Sequence, residues 1–324
     1  MSSTKDLTAN KVLLIVGPTA VGKTTLSIEL ARRLKAEIVS ADSRQVYRYM
    51  DIGTAKPDSR YLASVAHHFI STRNPDEYYS AGEYGRQARE CIAGLLQKGI
   101  PSIVVGGSGF YIQALVDGLF APKISDHEIK EKWRQKIRTE GNQAVFEHLQ
   151  RIDPESAARL HPNDEQRIVR ALEVHELTGK PISSFRQQKA NPADFNPVFV
   201  GLEMDRQLLY QRIGQRVDRM LADGLVQEVE TLREMGYDPH LHALRTVGYQ
   251  EVFDYLDEKI PFDAMIELIK RNSRRYAKRQ MTWFRRDPRI RWLDTSRKTT
   301  EEVVEFIISK FDKSFDRENY FARG

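Results

Sequence analysis

Residues Gly17-Pro18-Thr19-Ala20-Val21-Gly22-Lys23-Thr24 read G-x-x-x-x-G-K-T, a spacing suited to gripping a di- or triphosphate. The glycines let successive backbone N–H groups turn inward around phosphate oxygens. Lys23 adds a point charge, and the Thr24 hydroxyl is a ligand for Mg²⁺. The surroundings are those the chemistry needs. Lys11-Val12-Leu13-Leu14-Ile15-Val16 has the look of a buried strand, and Leu26, Leu30 and Leu34 recur every four residues after the loop, which predicts a helix. The N-terminus of that helix adds its dipole to the anion site.

Four other groups could carry chemistry. Asp42 ends a second strand, Glu37-Ile38-Val39-Ser40. A carboxylate there either closes a turn or points into the phosphate cleft, where it ligates Mg²⁺ or accepts a proton from a nucleophile. Gly106-Gly107-Ser108-Gly109 follows the apolar strand Ser102-Ile103-Val104-Val105, and three glycines in four residues allow a backbone to approach a ligand closely. Ser108 is either a turn serine or a hydroxyl offered to substrate. That strand ends in Gly rather than Asp, which argues weakly against simple nucleotide hydrolysis. From Arg271 to Trp292 nine Lys or Arg stand against one acid, Asp287. Helical spacing puts Phe262, Ile266, Ile269, Ser273, Tyr276, Gln280 and Trp283 on one side and Arg271, Arg275, Lys278 and Arg285 on another. Such a face is either solvated or a track for phosphates and stacked bases. Asp164-Glu165-Gln166-Arg167-Ile168-Val169-Arg170 presents a further, partly basic helical face. The histidines lack metal-ligand spacing, which argues against zinc.

These residues need a scaffold that gathers them. Strand and helix patterns alternate through residues 11–120, implying a parallel sheet whose working loops lie at the C-terminal ends of the strands. The P-loop, Asp42 and Ser108 are therefore expected along one edge. Residues 124–190 are helical throughout. Ser125-x-x-Glu128 reads as a capping box, Asp153-Pro154 as another helix start, and a helix over about 164–178 stops at Gly179. After a linker, Val198-Phe199-Val200-Gly201-Leu202 resumes the sheet, helices fill 205–285, and Ile290-Arg291-Trp292-Leu293 forms an edge strand. The expected organisation is a P-loop α/β core (1–123), an inserted helical subdomain (124–190) and the continuation of the core with basic C-terminal helices (191–324).

The bulk numbers bound the rest. The chain has 324 residues, 40% hydrophobic and 29% charged, with a net charge of +5. That suits a globular protein and mildly favours an anionic partner. One cysteine, Cys91, excludes an intramolecular disulfide and a cysteine metal site. No stretch resembles a signal peptide or a membrane span, and a cytoplasmic protein is expected.

In order along the chain, these segments resemble the bacterial tRNA dimethylallyltransferases, also called tRNA isopentenyltransferases. The resemblance is carried by Gly17–Thr24, by Asp42-Ser43-Arg44-Gln45-Val46-Tyr47-Arg48 with Met50-Asp51-Ile52-Gly53-Thr54-Ala55-Lys56-Pro57, and by His67-His68. It continues through Gly106–Tyr111, Gln166–Arg170, Arg245-x-x-Gly248-Tyr249 and Arg274-Arg275-Tyr276-Ala277-Lys278-Arg279-Gln280-x-Thr282-Trp283-Phe284-Arg285, spanning residues 11 to 293. It implies a P-loop NTPase-like α/β fold and transfer of the dimethylallyl group from dimethylallyl diphosphate to N6 of adenosine 37 in tRNA. The P-loop then holds diphosphate rather than ATP, with Mg²⁺ on Thr24. Asp42 corresponds to the general base, and Ser108 to a position that is usually Thr. The resemblance further implies tRNA contacts at Asp42, Ser43, Arg44, Gln45, Ser108, Lys130, Gln166, Arg167, Ile168, Val169, Arg170, Arg245, Arg275, Lys278, Arg279 and Gln280. Tyr49 departs from the Gly common at its position. A monomer with no membrane partner is expected. Three rival readings share parts of this pattern: a small-molecule P-loop kinase, a prenyltransferase acting on free adenine nucleotide, and a non-catalytic RNA-binding P-loop protein.

Overall fold

The computed structural model describes residues 10–119, 126–187 and 191–312. The chain divides into two units, Met1–Val116 with Ala193–Gly324, and Asp117–Pro192. The Ala193 N–H donates to the Val116 carbonyl at 2.8 Å, so the chain leaves and re-enters the first unit at adjacent points. The division falls at 116/117 and 192/193, where the sequence reading expected 123/124 and 190/191.

Six parallel strands form the first unit's sheet: β1 (Lys11–Val16), β2 (Glu37–Ser40), β3 (His67–His68), β4 (Ser102–Gly106), β5 (Asn196–Glu203) and β6 (Arg291–Asp294). Their order is β3-β2-β4-β1-β5-β6. β1 is central because it is apolar on both faces: Val12 to Val16 are all buried, as a strand covered on two sides requires. It pairs Leu13 with Ile103 of β4 and with Val198 of β5. Strand order reverses beside β1, the switch point where open α/β sheets bind ligands.

Nine helices belong to this unit among the described residues, and four to the other. In chain order they are α1 (Lys23–Leu34), α2 (Ser59–Ser64), α3 (Ala81–Gln97), α4 (Gly109–Val116), α5 (His127–Glu140), α6 (Asn142–Ile152), α7 (Pro154–Ala157), α8 (Glu165–Thr178), α9 (Arg206–Ala222), α10 (Leu225–Glu234), α11 (Tyr249–Leu256), α12 (Phe262–Phe284) and α13 (Thr300–Asp312). α1 packs Leu26, Ile28 and Leu30 into the core, and α13 adds Val303, Val304 and Ile307 to the same cluster. Arg33 of α1 bonds Glu29 on its own helix and Glu301 and Glu305 of α13. No helix of the described residues is long and apolar enough to cross a membrane.

The second unit has its own core of Trp133, Ile137, Val145, Phe146, Leu149, Ile168, Val169 and Leu172. α5 is capped by Asp126, whose side chain accepts from the Ile129 N–H at 3.0 Å. The cap therefore lies one residue beyond Ser125, which is outside the described residues. α8 ends at Gly179, whose φ of 68° is the left-handed conformation a helix stop of this kind requires.

Candidate active site

The P-loop leaves the tip of β1 and turns into α1. Gly17 passes so close to β5 that an added Cβ would sit 2.6 Å from the Leu202 carbonyl oxygen. Gly22 caps α1 with φ 103°, a conformation only glycine adopts cheaply. Lys23 is folded back onto its own loop, donating to the Gly17 carbonyl at 3.0 Å and the Pro18 carbonyl at 2.7 Å. Burial pushes the Lys23 ammonium down to about 7. Arg216 acts in the same direction, and Asp42 opposes both; the value is their net result.

Asp42 follows β2. Its Oδ1 accepts from the Arg44 N–H at 2.8 Å and the Gln45 N–H at 3.3 Å, closing a turn. The two roles open to Asp42 are thus compatible, because it closes the turn and also lines a cavity with Lys23 and Thr24. Ser108 lies beside this turn. Its Oγ accepts from the Ser43 N–H at 2.9 Å, and the Ser108 N–H donates to the Ala41 carbonyl at 3.2 Å. The tips of β2 and β4 are stitched together by these bonds. Gly106 permits the approach, since a Cβ there would lie 2.1 Å from the Ala41 oxygen. Gly106→Ala is expected to cost about 1–3 kcal/mol through overpacking and to misplace Asp42. Chemical denaturation and single-turnover rates of the same sample would check both effects.

The cavity holds about 550 Å³ and is bounded by all three strand-tip loops together with α9, α11 and α12. That volume is within the range of small-molecule sites. From α9 comes Arg216, a cation that the motifs do not reveal. It sits on the helix side that buries Leu209, Ile213 and Val217, so a charged residue interrupting an apolar stripe is the available sequence cue. Burial lowers the pKa of its guanidinium while Asp42 opposes that shift, and Nη2 reaches the Thr54 carbonyl at 3.5 Å. From α12 comes Tyr276, whose hydroxyl is pushed up to about 12, first by burial and then by Asp42.

One wall of the cavity is the segment Gly53-Thr54-Ala55. Glu228 of α10 clamps it. Its carboxylate accepts from the Asp51, Ile52 and Gly53 N–H groups at 2.7–3.1 Å and from the Tyr249 hydroxyl at 2.6 Å. Gln45 Nε2 holds the other end, donating to the Thr54 and Ala55 carbonyls at 3.2 and 3.1 Å. Tyr49, in the same loop, has φ 63°. The position therefore demands a left-handed backbone, which glycine takes freely and tyrosine takes under strain.

The first five cations of the basic run, Arg271 to Arg279, fall on α12, but the helix is rotated relative to the sequence reading. Met265, Ile269, Ala277, Gln280 and Phe284 are buried, whereas Phe262 and Trp283 are 43% and 38% exposed. Arg275, Lys278 and Arg279 are exposed, and Arg275 and Arg279 reach the cavity rim with Arg245. Beyond the rim lies a more open cleft of about 470 Å³, lined by Arg275, Lys278, Arg279, Thr282, Trp283 and Arg286. Trp283 lies over Gly109 and meets the exposed Phe110 edge to face at 6.4 Å. Cations interleaved with exposed aromatic faces are what phosphates and unstacked bases bind. Arg44 turns aside to donate to the His242 carbonyl at 2.8 Å.

Four expected RNA contacts take other roles. Gln280 is 6% exposed and faces inward, bonded to the P-loop and to Gly107. In the helical unit Ile168 and Val169 belong to its apolar core, which withdraws both side chains from RNA. Lys130 is also buried and pairs with Glu173 at 3.5 Å. Glu173, fully buried, takes Arg170 at 2.6 Å as well, so Lys130 balances a buried charge instead of facing outward. Gln166 and Arg167 remain exposed on α8.

Residues 45–287 match the family model described as IPP transferase. The chain is 44% identical over 304 residues to a tRNA dimethylallyltransferase of Carboxydothermus hydrogenoformans, covering 93% of this chain and 97% of that protein. It is 46% identical over 286 residues to tRNA dimethylallyltransferase 2 of Geotalea uraniireducens, covering 88% and 92%. Among solved structures, the full-length tRNA isopentenylpyrophosphate transferase of Bacillus halodurans aligns with a TM-score of 0.69 at 38% identity, covering 94% of this chain and 97% of that one. A eukaryotic dimethylallyltransferase captured acting on tRNA aligns with a TM-score of 0.78 at 28% identity, covering 94% and 79%.

Proposed function

The chain belongs to the IPP transferase family, and from that premise we propose that it moves the dimethylallyl group of dimethylallyl diphosphate onto N6 of adenosine 37 in tRNA, releasing diphosphate. One observation supports this above the others: a single cavity joins the P-loop and Asp42 to the cationic edge of α12. A small-molecule kinase has no use for Arg275, Lys278, Arg279 and Trp283 at the mouth of its site. RNA needs such a surface.

The N6 lone pair attacks C1 of the dimethylallyl group, the C1–O bond breaks, and diphosphate departs with the bonding pair. The N6 proton passes to Asp42. Lys23 and Arg216 meet the negative charge that gathers on the leaving diphosphate, in a half-buried setting where such charges act strongly. Ser108, bonded to Ser43 and Ala41, ties the turn after β4 to the turn that carries Asp42. The adenine must leave its stack to enter, a base-flipping step. Exposed Gln166 and Arg167 of the helical unit are further contact candidates for the same RNA.

Mg²⁺ fits the donors present. Among the described residues no three His, Cys, Asp or Glu side chains gather, and Mg²⁺ typically keeps several waters and takes phosphate oxygens. Thr24, lining the cavity beside Lys23, is the side chain that would hold it, and the bound ion would neutralise charge on the diphosphate.

The test is incubation with labelled dimethylallyl diphosphate, with and without tRNA, followed by nucleoside analysis. Label in a tRNA adenosine is expected. Label in free AMP selects the rival acceptor, and no transfer defeats the reading. Neutralising Arg275 and Lys278 together is expected to weaken tRNA binding and to flatten the slope of log K against log salt by about 1.4–1.8, since each lost phosphate contact removes 0.7–0.9. An unaltered slope would mean this face is merely solvated.

A further inference from the structure

We infer that Gln280 couples RNA binding to diphosphate binding by bridging the helix with the basic face to the phosphate loop. The inference rests on the reading just given of α12 and of Gly17–Thr24.

Gln280 is buried on α12, where its Oε1 accepts from the Thr19 N–H at 2.8 Å and its Nε2 donates to the Gly107 carbonyl at 3.0 Å. Thr19 belongs to the P-loop, and Gly107 lies in the turn after β4, one residue before Ser108. A side-chain amide can do both at once, accepting at its oxygen and donating from its nitrogen. The turn is shaped around it: a Cβ on Gly107 would lie 2.1 Å from Nε2. One turn earlier on α12, Tyr276 lies close enough to Ser108 for the two to interact. One residue before Gln280, Arg279 is exposed, packs over the Tyr276 ring at 5.6 Å and reaches the cavity rim. A single helix therefore touches the phosphate loop and the β4 turn on its inner side and presents Arg275, Lys278 and Arg279 on its outer side.

Phosphates settling on those cations fix the position of α12. Gln280 passes that restraint directly to the Thr19 amide, with no other element between. The loop is then already ordered when diphosphate arrives. Such coupling is reciprocal, so diphosphate must tighten RNA binding by the same factor.

The experiment measures the affinity of the full-length protein for inorganic diphosphate with Mg²⁺, alone and with a saturating RNA hairpin whose loop carries adenosines. The reverse pair is measured too. In the wild type each ligand is expected to tighten the other by about fivefold or more. In Gln280→Met, and in Gln280→Asn, which keeps the amide but loses its reach, that factor is expected to fall towards one while each ligand still binds alone. A merely structural glutamine would lower the melting temperature and weaken each ligand equally whether or not the other is bound. A retained factor in both variants therefore overturns the inference. So does a wild type that binds both ligands without coupling, and the functional reading then stands. A wild type that binds no diphosphate or no RNA overturns both.

Discussion

Asp42→Asn is expected to lower the single-turnover rate of prenyl transfer by about 10²–10⁴, the range associated with losing a general base. Asparagine is the informative replacement. Its Oδ1 still accepts from the Arg44 and Gln45 N–H groups, so the turn after β2 survives. What is lost is the ability to take the N6 proton. RNA affinity is expected to stay near that of the wild type, because the cations at the mouth of the cavity are untouched. Removing the Asp42 charge also removes the one influence that raises the Lys23 pKa, so Lys23 should deprotonate at a lower pH in this variant. An unchanged single-turnover rate would leave Asp42 as a turn residue only.

Lys23→Ala is expected to lower kcat/KM for the donor by about 10²–10³, the loss usual for one group that stabilises developing negative charge. The pH dependence adds a separate check. In the free protein burial holds Lys23 down to about 7, and a bound diphosphate must raise that value. Below pH 7 the ammonium is already charged and binding takes up no proton. Above pH 7 binding must first protonate Lys23, so affinity falls as pH rises until the pKa of the complex is passed. Diphosphate titrates in the same range, so the quantity to follow is the ratio of wild-type affinity to that of Lys23→Arg, whose side chain stays charged. That ratio should decline from pH 7 upward. A flat ratio would place Lys23 in an environment that leaves it protonated throughout.

The strand–loop–helix of the P-loop and the position of Asp42 at a strand tip are legible in the sequence because both are local. A P-loop needs only residues 11–34 in the right order, and the tip of β2 is three residues beyond an apolar run. The parallel sheet follows from the alternation of short apolar strands with helices. The spacing of α12 gives its basic face correctly, yet it misplaces Phe262 and Trp283, because the buried side carries Met265, Ala277 and Phe284 instead, and helical period alone does not fix that rotation. Ser125 reads as the cap of α5, whereas the adjacent Asp126 takes that role, an ambiguity of one residue that spacing does not resolve.

What the amino-acid order determined unaided is therefore the chemistry within short reach: a phosphate loop, a carboxylate beside it, and a helix rich in arginine. Tertiary structure decided which distant groups join them. Arg216 lies far along the chain from Lys23 and meets it across a cavity, Glu228 clamps a loop 175 or more residues away, and Gln280 turns inward to the P-loop while Lys130 is drawn under Glu173. The physical reason is that an isolated polar side chain carries no mark of its partner. Whether it faces RNA or satisfies a buried amide depends on what the folded chain brings within hydrogen-bonding distance, and only packing sets that.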